Sequence, residues 1–182
     1  MPNDNLENRI SQMEFLMRSH QHIGLDSDIL RSQDFKQIGR TKLAVAATSI
    51  SVSIPPRKFL KILVSFGAKS GVSDDYLRFN SDSGNNYTTT TGTSQAQIDI
   101  RNGANSALGL FSIIEAANIS SIVKPVFIHT VNRITAAGTA ISSYALFACW
   151  VNVSSFISSV SLTSSNAQTY PVGSEIIILS TN

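Results

Sequence analysis

Beyond Gly39-Arg40 no apolar pattern repeats with the 3.6-residue period of a helix. The apolar runs there are rich in β-branched and aromatic residues, and Gly, Asn, Ser or Pro clusters bound them. The runs are LAVAATSISVSI up to Pro55-Pro56, FLKILVSF from Phe59 to Phe66, Leu77-Arg78-Phe79, Thr88 to Thr91 and Gln97 to Ile100. Further on come Leu108 to Ala117, Ile119 to Val131, Tyr144 to Val153, Phe156 to Thr163 and Glu175 to Leu179. They predict eight to ten strands. Strands with no helices between them pair antiparallel, so residues 41–182 are expected to form an all-β, jelly-roll-like sandwich. The longest connection, about residues 80–96, is rich in Asn, Ser, Thr and Gly and is expected to be exposed.

Residues 1–40 have a different character. They carry five basic and six acidic side chains, against nine and six in residues 41–182. Asn3, Asp4 and Asn5 are helix-capping types, and Leu6, Ile10, Met13 and Met17 then follow at spacings of 4, 3 and 4. That is a coiled-coil seam. A helix of about fifteen residues is marginal alone in water, so packing against copies of itself is the preferred stabilisation. Packing on the chain's own β domain is the competing arrangement. Residues 1–40 are thus expected to be a short helical stem and linker, and 41–182 the head.

Few residues in the sequence point to chemistry. Net charge is +2 and no Lys/Arg stripe is present, which argues against a nucleic-acid partner. The lone Cys149 reads as a small apolar residue rather than a thiol nucleophile. The opening MPNDNLEN is no export signal, and no apolar run reaches about 18 residues, so synthesis in a cytoplasm without membrane insertion is expected. Nucleophile-elbow, phosphate-loop, dinucleotide and zinc-protease motifs are missing from the sequence. Asp99 and Glu115 are the best carboxylate pair, and both read more simply as solvated charges. His129 reads as a strand or core histidine. His20 and His22 are more suggestive. Brought together from three chains, their imidazoles could surround a divalent transition metal and clamp a trimer. The segment 80–86 faintly resembles a calcium loop but lacks its closing acid, and a plain turn is the simpler reading.

Three stretches resemble minor structural proteins of tailed bacteriophages. One is Tyr76-Leu-Arg-Phe-Asn80-Ser-Asp82-Ser-Gly84-Asn-Asn-Tyr87, a strand running into a D-x-G-x-N-Y loop. Another comprises Phe156 to Leu162 and Tyr170-Pro-Val-Gly173-Ser174 leading into a final apolar strand. The third, His20-Gln-His22-Ile-Gly24-Leu-Asp26-Ser27, is similar to linkers that join fibre stems to heads. The resemblance covers roughly a quarter of the chain. The last strand ends in Ser-Thr-Asn rather than the frequent Tyr-Gly, and the stem is short for a fibre; both favour a compact knob.

The resemblance implies a non-enzymatic virion component, a head fibre, decoration or tail-tip protein. It would be homotrimeric and held to a capsid or tail protein through residues 1–40. The alternative is a receptor- or glycan-binding module for host attachment, contacting a host surface glycan through Tyr87, Asn85 and Asn86. Trp150, inside an apolar run, is expected in the core.

Overall fold

A period of two governs the strands. In Leu110–Ala117, Ile114 and Ala116 point inward while Phe111 and Glu115 point out; in Lys124–Asn132, Val126, Ile128 and Thr130 point in. The computed structural model describes residues 35–90, 92–101, 107–132 and 142–181. All the strand pairs there are antiparallel, and the class predicted from the absence of helical periodicity is the class observed. Of the helical stem and linker expected over residues 1–40, residues 1–34, with Leu6, Ile10, Met13, Met17, His20 and His22, lie outside the described residues.

The strands are β1 (Lys36–Lys42), β2 (Ser49–Ser53), β3 (Phe59–Phe66), β4 (Asp75–Phe79), β5 (Tyr87–Thr89), β6 (Gly92–Gln95), β7 (Ile98–Asp99), β8 (Leu110–Ala117), β9 (Lys124–Asn132), β10 (Ser143–Trp150), β11 (Ser159–Ser164) and β12 (Glu175–Ser180). Eight form one sheet, in the order β1-β12-β3-β8-β9-β10-β5-β6. Four form the other, in the order β2-β11-β4-β7. The pairings are nested: β1 lies beside β12, β2 beside β11, β3 beside β8 and β4 beside β7. Successive members of that set alternate between the sheets. The β5–β6 hairpin and the β9–β10 pair are additions that widen the larger sheet.

One core unites the inward faces. Ile62, Val64 and Ile178 come from the large sheet, and Leu77, Phe79 and Leu162 from the small one, all essentially inaccessible. Each such side chain contributes about 1.5–3 kcal/mol on burial.

The block boundary expected at Gly39-Arg40 falls inside β1, whose partner is the last strand. An edge strand keeps one side in water and tolerates the charges of KQIGRTK, so charge density misplaced the boundary. Gly39 is a packing residue rather than a linker glycine. It sits at a register shift, and a Cβ there would lie 2.7 Å from the Ile54 side chain and 2.9 Å from that of Val52. Deleting residues 1–34 is therefore expected to leave the thermal unfolding of the β domain nearly unchanged. Deleting 1–40 removes most of β1, uncovers the edge of β12 and should lower the midpoint by several degrees. Equal midpoints for the two truncations would refute the assignment of β1.

Candidate functional site

The motif Tyr76 to Tyr87 builds a corner where β4 leaves the small sheet and β5 joins the large one. Asn80 and Ser81 adopt left-handed backbone conformations, φ 54° and 55°, which turn the chain sharply. The Asn80 side chain then clamps the segment before β11: its Oδ1 accepts from the backbone N–H groups of Ser158 (2.8 Å) and Ser159 (3.0 Å), and its Nδ2 donates to the Phe156 carbonyl at 2.7 Å. Asn118 holds the same segment from the other side, exchanging two bonds with the backbone of Ile157.

Asp82 closes the corner. Its Oδ2 accepts from the indole Nε1–H of Trp150 at 2.7 Å, its Oδ1 from the Gly84 N–H at 2.9 Å, and both from the Asn86 amide. Burial pushes the carboxyl up, but the bonds from Trp150, Asn86 and Gly84 outweigh it and hold Asp82 below the usual carboxylate range. The calcium-like spacing of segment 80–86 is thus accounted for by a self-satisfied turn.

Tyr87, expected at the surface, is corrected to a core residue. It is fully buried, and its hydroxyl accepts from the Phe79 N–H at 2.9 Å while contacting the carbonyls of Phe79 and Asp82 at 3.3 Å. The β-prone run expected from Thr88 starts one residue earlier: Tyr87 begins a strand paired to Trp150, and that places its ring inward. Asn86 serves Asp82 internally, and only Asn85 of the three is exposed. Burial and the nearby Asp82 charge push the Tyr87 hydroxyl up to about 12, despite opposing contributions from the Phe79 bond and Arg78. A raised folded value means that this stability is intact below pH 10.0, the ordinary tyrosine value, and is lost as pH climbs toward 12. At pH 11 the loss is expected to be about 1 kcal/mol smaller in Tyr87→Phe than in the wild type, read by urea unfolding at pH 8 and 11. Identical pH slopes would show that Tyr87 ionises freely.

A second polar cluster lies in the interior, at residues that sequence reasoning did not single out. Asp75 Oδ1 accepts from Lys69 Nζ and from the Tyr170 hydroxyl, each at 2.9 Å, and its Oδ2 accepts from Arg101 Nε. Arg101 also donates to Asn132 Oδ1 at 2.6 Å and to the Leu108 carbonyl at 2.5 Å, and Lys69 to the Ser73 carbonyl at 2.7 Å. The cluster joins the β3–β4 connection and the start of β4 to the segment after β7, the end of β9 and the segment before β12. Burial holds the Lys69 ammonium below its ordinary value despite the Asp75 attraction. Lys124 is buried too. Its ammonium donates to the carbonyls of Ile122 and Asn152 and sits 5.6 Å from the Trp150 ring centroid, and burial lowers its pKa.

The outer faces of the two sheets differ. On the small sheet, β2 and β11 present Ser53 opposite Ser159, Ser51 opposite Ser161 and Ser49 opposite Thr163. On the large sheet, β8, β9 and β10 present Phe111 (41% exposed), Phe127 (37%) and Phe147 (61%). Phe127 and Phe147 are directly cross-strand, with ring centroids 5.1 Å apart. His129, on the same face between Ile113 and Ala145, is a strand histidine but exposed rather than in the core. Glu115 pairs with Lys61 at 3.1 Å on this face, whereas Asp99 lies on the other sheet and accepts from the Arg101 N–H. The carboxylates considered as a pair are therefore not brought together. Trp150 is in the core as expected, and Cys149 is part-buried on β10.

No group of three or more His, Cys, Asp or Glu side chains suited to a metal occurs among the described residues, which do not include His20 and His22. None of the described helices is long and apolar enough to cross a membrane. In comparisons with known proteins, no protein-family model matches the chain, and no curated protein matches it.

Proposed function

We propose that this chain is a non-enzymatic structural component of a tailed-bacteriophage particle: a trimeric jelly-roll knob mounted on a capsid or tail protein through its N-terminal segment. The observation that carries the reading is the nested pairing, β1 with β12, β2 with β11, β3 with β8 and β4 with β7, its members alternating between two sheets. A two-stranded ribbon wrapped on itself produces that order, and it is the eight-strand, double-Greek-key plan used by capsid and lectin domains. The resemblance in the Tyr76–Tyr87 motif adds support, since its Asn, Asp and Tyr residues work as fold-determining clamps.

The non-enzymatic part rests on how the acids are used. Asp75 is committed to two cations and a tyrosine, Asp82 to an indole and an amide, and Glu115 to a surface lysine. Attachment through residues 1–40 and a metal clamp at His20 and His22 belong to the same proposal. The receptor- or glycan-binding alternative loses its aromatic platform with the burial of Tyr87 and keeps Asn85 alone. Immunogold labelling of purified particles, with antibody against the full chain, is expected to mark a fixed position on the virion. Absence of the chain from particles by peptide mass spectrometry would reject the proposal.

A further inference from the structure

We infer that the outer face of the large sheet, centred on Phe111, Phe127 and Phe147, is an interface between copies of this chain. This goes beyond mounting through the N-terminal segment and does not depend on which particle carries the chain. The two outer faces differ in chemistry. The small sheet's face is polar, a ladder of hydroxyls along β2 and β11 followed by Tyr76 and Arg78 on β4, the arrangement expected of a surface left in water. The large sheet's face runs from Ile177 on β12 through Leu63 on β3, Ile113 on β8 and His129 on β9 to Ala145 on β10. The three phenylalanines flank that row. A contiguous apolar surface of this kind marks an interaction site on a soluble domain.

The size of the face fits a protein partner. Five strands of six to nine residues, spaced about 4.8 Å apart with about 3.3 Å rise per residue, make a plane of about 600 Å² before side-chain relief. That approaches the roughly 800 Å² each partner contributes to a standard interface.

Its charge points to a second copy. The central charges are Lys61 and Glu115, already paired with each other at 3.1 Å. The face therefore offers no net charge to attract a polyanion, and two such faces meet without repulsion. A sugar ligand needs hydrogen-bonding groups around its aromatic platform. Here Phe127 and Phe147 are occupied with each other at 5.1 Å, Glu115 is paired with Lys61, and the neighbours two residues along are Pro125, His129, Ala145 and Cys149, so the two rings are flanked mainly by apolar side chains. An isologous or cyclic contact through phenylalanines suits this chemistry, with aromatic anchors at its centre.

The test is the mass of the full chain by sedimentation equilibrium over a range of micromolar concentrations. Three proteins are compared: the wild type, Phe127→Glu with Phe147→Glu, and Ile10→Glu with Met13→Glu. The wild type is expected to associate. The face variant should associate at least tenfold more weakly with an unchanged circular dichroism spectrum. If two added charges unfold it, Phe147→Ser alone, at the more exposed ring, is read in the same way. Dissociation of the face variant supports the inference whether or not the seam variant also dissociates. A monomeric wild type overturns it and leaves the face to another occupant, such as residues 1–34 of the same chain. It is equally overturned if the face variants keep the wild-type mass; should only the seam variant then dissociate, the trimeric stem stands and the face has no part in it.

Discussion

Asp75→Ala is expected to lower the unfolding free energy by about 3–5 kcal/mol, because it removes the carboxylate that bonds both buried cations. Lys69, Asp75 and Arg101 side chains are all inaccessible to water. With the carboxylate gone, the Tyr170 hydroxyl loses its acceptor as well. The guanidinium cannot shed its proton, so Arg101 must stay charged in the interior or pull out of it. Asp75→Asn keeps the size and one acceptor but not the charge, and should fall between the wild type and Asp75→Ala. Replacing all three together, with Asp75→Leu, Lys69→Met and Arg101→Met, removes the charges along with the anion and should recover much of the loss. Urea unfolding of the four proteins provides the comparison. A drop of less than about 1 kcal/mol in Asp75→Ala would mean that water reaches the cluster and the ions are not desolvated.

This cluster also shows where sequence reasoning stopped. Strands β3, β8, β10 and β12 were legible because β-branched and aromatic runs between turn residues have few other ways to bury themselves. β1 was not, since KQIGRTK has the composition of a linker and becomes a strand only because β12 offers it an edge. The run Ile119 to Val131 reads as one strand, yet residues 119–123 are a connection and β9 starts at Lys124. Asp75, Arg101 and Lys69 are illegible for a different reason. Nothing in their local sequence separates a buried charge from a solvated one; the partners are brought together by the sheet pairings. The aromatic face fails the same way. In SYALFACW both alternating sets are apolar, so period two identifies the strand but not which side meets water.

Trp150→Ala is the other large effect, expected at about 3–5 kcal/mol. The indole is fully buried, packs on the Phe79 ring at 5.8 Å, bonds Asp82 at 2.7 Å and lies under the Lys124 ammonium. Its removal opens a cavity beside a carboxylate that has lost one donor and an ammonium that has lost its π face. Trp150→Phe refills much of the space but not the hydrogen bond, and should cost about 1–3 kcal/mol. A cost below about 1.5 kcal/mol for Trp150→Ala would indicate that the corner closes without the indole. The comparison with Phe147 separates the two faces of one strand. Trp150 and Phe147 are three residues apart on β10, one inward and the other outward. Trp150→Phe should lower stability and leave the mass of the assembly unchanged, whereas Phe147→Ser should lower the mass and leave the monomer's stability nearly unchanged. The reverse pattern would mean that β10 presents its other side to the core, and with it would go both the inward place of Tyr87, paired to Trp150 across β5, and the aromatic face outside.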